Sequence, residues 1–402
     1  MPRYTGAMQS RLATPVVLVL ALWLAGLGAA GQFAKMAVVF TELQAFYGRS
    51  AVASGFLVSL ISFVGLVLGL VAGLLAVRVG LRRLLLIGLF LGAAISFVQA
   101  LLPPFWLMMA SRFAEGLAHL AIVVATPTLI AQIAPKPHQG AALTLWGTFF
   151  GVAFAAVALL APPVVAAFGL GGLFAAHGAW MLGFGALLAV ILPTPPTAAL
   201  DAPSLSWRRM LERHRAVYTS PFIGASPLAW VFYTLTFVAL LAVLPGLVDP
   251  ARRIFAATWM PLASIIASMT LGVVLLRHVP AVTVVVIGFA SATIPAAAMA
   301  VLGPSAWLGI ALFACLGLVQ GASFAAVPQL NPTDADRALA NGGLAQMGNV
   351  GNTAGTPVLA AIVAMTGFAG VPAFLIACYG AAIAIHLALG AARARAAPGA
   401  IR

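Results

Sequence analysis

Long apolar runs separated by short polar turns repeat along the whole chain. Runs of 19 to 30 residues cover 14–40, 51–77, 84–102, 105–134, 141–165, 173–192, 228–248, 258–276, 282–302, 306–327, 339–365 and 371–390. Crossing the hydrocarbon core of a bilayer takes about 20 apolar residues in a helix, so each run has the length of a membrane span. Gly and Pro inside the runs are tolerated in such helices. The period-2 alternation of a transmembrane β-barrel is absent. The pattern therefore predicts an all-α membrane protein with 12 transmembrane helices, called spans 1 to 12 below.

Composition supports this reading. The 402 residues are 63% hydrophobic and only 7% charged, against about 25% charged in soluble domains. Too few charges exist to cover a water-facing surface. Basic residues then set the orientation. With a cytoplasmic N-terminus, inside segments hold 15 Lys and Arg and outside loops hold 3, namely Arg49, Arg252 and Arg253. Both termini are expected in the cytoplasm of a bacterial cell, with the chain in the inner membrane. The net charge of +13 then faces the anionic inner leaflet and needs no nucleic acid partner. The basic start before span 1 resembles a cleavable leader, but its apolar run continues to Phe40 and is too long for one. Cys315 and Cys378 fall inside spans without the spacing of a disulfide or a metal site.

One long polar stretch, 193–226, divides the chain into six spans and six spans. It holds four prolines before the basic segment from Trp207 to Arg215, which reads as a short interfacial helix on anionic lipid. Residues 1–192 and 227–402 are thus expected to be two pseudo-symmetric six-helix bundles joined by a cytoplasmic loop. Internal repetition agrees. Gly73…Arg78 pairs with Gly272…Arg277 at an offset of 199, Glu115-Gly116 with Gln320-Gly321 at 205, and Leu143-x-x-x-Gly147 with Leu344-x-x-x-Gly348 at 201.

Two six-helix halves, a central loop and a basic turn after span 2 resemble the major facilitator superfamily. Its loop signature, G-x-x-x-D-x-x-G-R-[RK], is approximated from Gly73 to Arg83, with Gly73, Arg78, Gly80, Arg82 and Arg83 as the glycine and basic positions. Val77 stands where the family has its acid. A second signature, R-x-x-x-G, is matched by Arg112 and Gly116 in span 4, while the glycine-proline antiporter motif is absent from span 5. Gly140…Leu145-Trp146-Gly147 and the Gly/Asn-rich span 11 are similar to the cyanate/nitrate-type anion porters. The resemblance implies alternating access, with two bundles rocking around a mid-membrane site lined by spans 1, 4, 7 and 10, and a gating role for the loop after span 2.

The candidate chemistry is sparse. Glu115 is the one carboxylate deep in a span. Counted from Phe105 at 1.5 Å per residue, it lies about 15 Å into the membrane. At about 100° per residue, Arg112, Glu115 and His119 share one stripe. A charge at this depth costs several kcal/mol, which marks a functional site by default. Glu115 is read as a proton or substrate site, or else as half of an Arg112–Glu115 pair that only holds span 4 in place. His119 is a proton relay or a packing residue. Lys35, with Gln32 one turn before it, attracts an anion, pairs with Glu115, or snorkels to the outer interface. In span 11, Gln346 and Asn349 share a stripe and either line the pathway or join helices, whose glycines allow close packing. Gln320 takes the place of Glu115 in the second half, so the ionisable site is confined to the first.

The deep charges Lys35, Arg112 and Glu115 sum to +1. They predict a secondary transporter that moves a small polar or anionic organic solute together with protons. The alternative is proton-coupled efflux of hydrophobic or cationic compounds. No cofactor, no metal and no oligomeric partner is expected, since no Walker lysine motif occurs and the six histidines are scattered. For the same reason an enzyme is not expected.

Overall fold

A computed structural model describes residues 13–68, 79–193, 212, 215 and 217–396. The described chain is helical. Its elements are α1 (Pro15–Ala37), α2 (Phe40–Tyr47), α3 (Ala51–Ser59), α4 (Ile61–Leu68), α5 (Leu81–Ala100), α6 (Phe105–Ile133), α7 (Gln139–Gly147) and α8 (Phe149–Ile191). They continue as α9 (Ala225–Leu247), α10 (Arg253–Ala267), α11 (Val273–His278), α12 (Ala281–Leu302), α13 (Ala306–Leu330), α14 (Asp334–Thr366) and α15 (Gly370–Ala396). The long helices follow from the apolar runs, because in lipid a backbone must satisfy its own N–H and C=O groups. Outward-facing apolar residues such as Val301 and Met365, exposed by 85% and 83%, suit a lipid environment.

Nine described helices are long and apolar enough to cross a membrane, or ten if α3 and α4, bent by 52° at Leu60, form one span. Two of them are double length: 149–191, and 335–396 with 62 residues. Each is broken by a glycine in the left-handed region, Gly169 at φ 67° and Gly367 at φ 64°. An L side chain is strained there, which is why glycine marks these joints. Dividing at both takes nine described segments to eleven, or to twelve with α3 and α4 taken as one span.

Span limits differ from the sequence expectation where a local break intervenes. Span 1 stops at Ala37, and Phe40 opens α2 instead of closing α1. Span 5 is interrupted at Thr148, between α7 and α8. Span 8 begins earlier, at Arg253, and contains a π turn, Ser268–Gly272. Opposite the π turn, a Cβ on Gly321 would lie 2.6 Å from the Ser268 hydroxyl, so glycine lets α13 approach the bulge.

The chain forms two compact units: residues 1–39 with 63–203, and residues 40–62 with 204–402. In the first, α1, α5, α6 and α8 pack around Leu22, Ala25, Leu85, Leu89, Ile122 and Met181. Gly80, at φ 85°, opens α5. Arg82 then donates to the carbonyls of Ala189 (2.6 Å) and Leu192 (3.0 Å), closing the last turn of α8. Arg83 is exposed. Gly73 and Arg78 of the basic loop lie outside the described residues, as does the segment from Trp207 to Arg215 except Glu212 and Arg215.

In the second unit, α14 lies directly on α9. Gly351 sits against the Thr234 hydroxyl, the Leu235 amide and the Val231 carbonyl, and Gly355 against the Leu235 carbonyl. A methyl group at either position would force the helices apart. Gly351 and Gly355 of span 11 therefore act in packing. Aromatic rings of α9 stack along the helix, Trp230 on Tyr233 at 4.3 Å and Tyr233 on Phe237 at 5.0 Å.

Candidate functional site

The first unit contains a buried polar cluster, and Glu115 is its centre. Helix α6 presents Arg112 and Glu115 at i, i+3, and the two form an ion pair. Helix α1 brings Lys35, whose Nζ lies 2.7 Å from Glu115 Oε1. Helix α5 brings Ser96 and Gln99. The Gln99 amide donates to Glu115 Oε2 at 2.9 Å and to the Ser111 hydroxyl at 3.0 Å. Ser111 in turn donates to the Met108 carbonyl at 2.6 Å. Helix α8 brings His177. Its Nδ1 is 2.8 Å from Ser96 Oγ and 3.3 Å from Lys35 Nζ, and its Nε2 is 2.8 Å from the Gly28 carbonyl.

The charged members are sealed from solvent. Lys35 is 1% exposed, and Arg112 and Glu115 are 0% exposed. Lys35 therefore does not snorkel to an interface. It donates to Ser96 Oγ at 2.8 Å, and its ammonium also lies 5.8 Å from the centre of the Phe174 ring. Close approach of the helices makes the cluster possible. A Cβ on Gly31 would lie 3.0 Å from the His177 ring, and one on Gly92 would lie 2.5 Å from the Met181 methyl.

Electrostatically the cluster is two cations around one anion. Each charge would be costly alone in so dry a place, and mutual pairing with hydrogen bonding offsets that cost. Glu115 accepts from Lys35 on one oxygen and from Arg112 and Gln99 on the other. With Lys35 and Arg112 charged, the three residues carry +1.

The sequence stripe of Arg112, Glu115 and His119 divides in space. His119 turns to α1, with Nδ1 3.1 Å from the Ala29 carbonyl and 3.2 Å from Gln32 Oε1, and packs edge-on against Phe33. Gln32 is fully buried. Thus Lys35, Arg112 and Glu115 come together, Gln32 and His119 pair beside them in the same unit, and Gln320, Gln346 and Asn349 belong to the other unit. Gln346 accepts from the Tyr218 hydroxyl at 2.8 Å, Asn349 donates to the Ala345 carbonyl of its own helix at 2.9 Å, and Gln320 is half-buried on α13.

Sequence reasoning passed over Ser96, Gln99, Ser111 and His177. A signal existed for two of them: Ser96 and Gln99 are polar, three apart, in an otherwise apolar span, which places them on one face. The histidines, which read as scattered, are not all so in space, since His177 joins this cluster. Among the described residues, no group of three or more His, Cys, Asp or Glu is placed to hold a metal ion. Cys315 and Cys378 are free thiols.

An all-helical chain with many apolar spans and a buried ionic cluster in its first unit has the form of a polytopic membrane transporter. Residues 18–332 match the sequence profile of the Major Facilitator Superfamily, and the chain belongs to that family. Over 179 residues it is 28% identical to the inner membrane transport protein YajR of Escherichia coli strain K12. That match spans 43% of this chain and 38% of the relative. Solved structures with a similar fold include a bacterial homologue of the human lysosomal transporter Spinster, inward-facing and unoccupied, with a TM-score of 0.74 and 14% identity. The alignment covers 93% of this chain and 96% of that one. The nucleoside transporter NupG gives a TM-score of 0.70 at 18% identity, covering 93% of this chain and 98% of its own. At these identities the likeness is one of fold. Family and fold accordingly indicate a multi-pass membrane transporter.

Proposed function

We propose that this protein is a proton-coupled symporter that carries a small polar or anionic organic solute across the bacterial inner membrane by alternating access. Twelve spans form two six-helix bundles with both termini cytoplasmic in this reading, and a single chain does the work. The inner-membrane placement is supported by the relative from Escherichia coli, itself an inner membrane transport protein. Protons and solute move along a pathway that draws on Lys35, Gln32, Arg112, Glu115 and His119 in the first half and Gln320, Gln346 and Asn349 in the second. Gly73, Arg78 and Gly80 belong to the gating loop, with Arg82 and Arg83 in the first turn of α5 that follows it.

The observation that carries the reading is the sealed Lys35–Arg112–Glu115 cluster, which is net positive when all three are charged. A membrane protein retains such a group against a large burial cost when charge must move. A positive excess favours a negatively charged or polar partner over a cation.

The test is solute flux in proteoliposomes holding the purified full chain. Vesicles are offered a panel of radiolabelled small carboxylates and amino acids under an inward proton gradient. Gradient-driven entry is the expected result. Exit of solute in exchange for entering protons refutes symport and leaves the efflux reading in its place.

A further inference from the structure

Within the proton-coupled reading above, on which this step rests, the geometry separates the three charges into different roles. We infer that Lys35 carries the coupling proton, that His177 receives it, and that Glu115 is a fixed counter-ion.

Glu115 has no room for a proton. One of its oxygens is held by Lys35 and the other by both Arg112 and Gln99. Protonating the carboxyl would remove the anion from between two cations and leave only a neutral acceptor toward the Lys35 and Arg112 donors. Arginine does not give up its proton in proteins, so Arg112 is a constant charge.

Lys35 is arranged differently. Its three N–H bonds meet three acceptors: Glu115 Oε1 at 2.7 Å, Ser96 Oγ at 2.8 Å and His177 Nδ1 at 3.3 Å. Two of these are anchors, and the third is a base. The Gly28 carbonyl, 2.8 Å from His177 Nε2, holds the ring proton on that nitrogen. The Nδ1 lone pair is thereby aimed at Lys35 and Ser96. Proton transfer breaks one N–H bond of the Lys35 ammonium and forms one at His177 Nδ1. It runs directly, or through Ser96, which gives its hydroxyl proton to His177 at 2.8 Å and takes one from Lys35. Lys35 becomes a neutral amine and His177 an imidazolium, with the total charge unchanged. His177 is less buried than Lys35, which is 1% exposed, so the transfer takes the proton off the more deeply sealed of the two groups.

The charge count gives this exchange its direction of use. Arg112, Glu115 and charged Lys35 sum to +1, and loss of the proton through His177 brings the cluster to zero. A solute of one negative charge balances the +1 state, which assigns the cargo to monovalent anions carried with one proton. Titratable and charged groups facing Lys35 are Arg112 and Glu115 on α6 and His177 on α8, with His119 one turn beyond on α6. Helix α5 offers the uncharged Ser96 and Gln99, and α7 contains no ionisable residue.

The chain has two lysines, Lys35 and Lys136, which makes a direct measurement possible. The full chain is labelled with lysine carrying ¹⁵N at Nζ, placed in nanodiscs and followed by NMR, with K136R assigning the signals. The Lys35 signal is expected to switch between ammonium and amine as pH is cycled across neutrality. Infrared spectra over the same cycle are expected to show no carboxylic-acid stretch that E115Q abolishes. A Lys35 signal fixed as ammonium, or a Glu115 acid band that comes and goes, overturns the assignment. In vesicles, K35R is expected to lose gradient-driven accumulation, and retained accumulation also overturns it. If the unmodified protein shows no proton-driven entry at all, the symport reading fails, while the lysine signal still decides the role of Lys35.

Discussion

Replacing Glu115 by Gln removes the anion between two buried cations at almost constant volume. Before the change the cluster holds +1; afterwards it holds +2. At an effective dielectric of about 20, the Lys35–Glu115 contact at 2.7 Å amounts to about 6 kcal/mol of attraction. Much of that offsets the desolvation of the two ions, and removing one partner of a buried pair costs about 3–5 kcal/mol net. Lys35→Met acts in the opposite sense. It leaves the neutral Arg112–Glu115 pair, so its cost is about 1–2 kcal/mol or less, mostly a lost hydrogen bond for Ser96 and Glu115. The double variant returns to +1 and falls between. The assay is the apparent melting temperature of the detergent-purified protein, read by a thiol-reactive dye on Cys315 and Cys378. The expected order of loss is E115Q first, then the double variant, then K35M. An E115Q protein as stable as K35M would show that net charge does not govern the cluster, and the reasoning would fail.

Smaller predictions test the supporting structure. Gly351→Ala drives a methyl group into Thr234 and the backbone of α9, where the Leu235 amide is 2.6 Å away, and is expected to cost about 1–3 kcal/mol in thermal stability; an unchanged melting temperature would contradict direct helix contact. Arg82→Ala removes two hydrogen bonds to the end of α8 and should lower stability by about 1–2 kcal/mol, with Arg83→Ala, at an exposed site, as a near-neutral comparison. The Glu42–Arg253 pair is 3.8 Å apart and about 40% exposed on both sides, so Glu42→Ala should change stability by less than about 0.5 kcal/mol, and a loss of several kcal/mol would mean that the pair is sealed from water in the membrane.

The class of fold was readable because apolar run length is a direct record of bilayer thickness. Joints were harder. The sequence placed spans 5 and 6 apart, yet a single glycine, Gly169, separates them. Glu115, Arg112 and Lys35 stood out because charges are rare in such a chain, and their pairing was one of the readings available. His177 lies 142 residues from Lys35, and no periodicity relates residues on different helices. The same holds for Gln99 and Glu115, which meet only because α5 and α6 pack side by side. Helical stripes report which residues share a face, and not which of them turns to a neighbour. His119 shares the stripe of Glu115 and still turns to Gln32.

The glycine joints at 169 and 367 are 198 residues apart, close to the spacing of the other internal repeats. At each, one helix passes into the next with almost no linker, so little slack is available to absorb a displacement. A rotation of either helix must be handed to its successor, as with two arms of a bent lever. The chain thus has a stiff elbow in each half, at matching positions. Peptide inserted at either elbow would uncouple the arms.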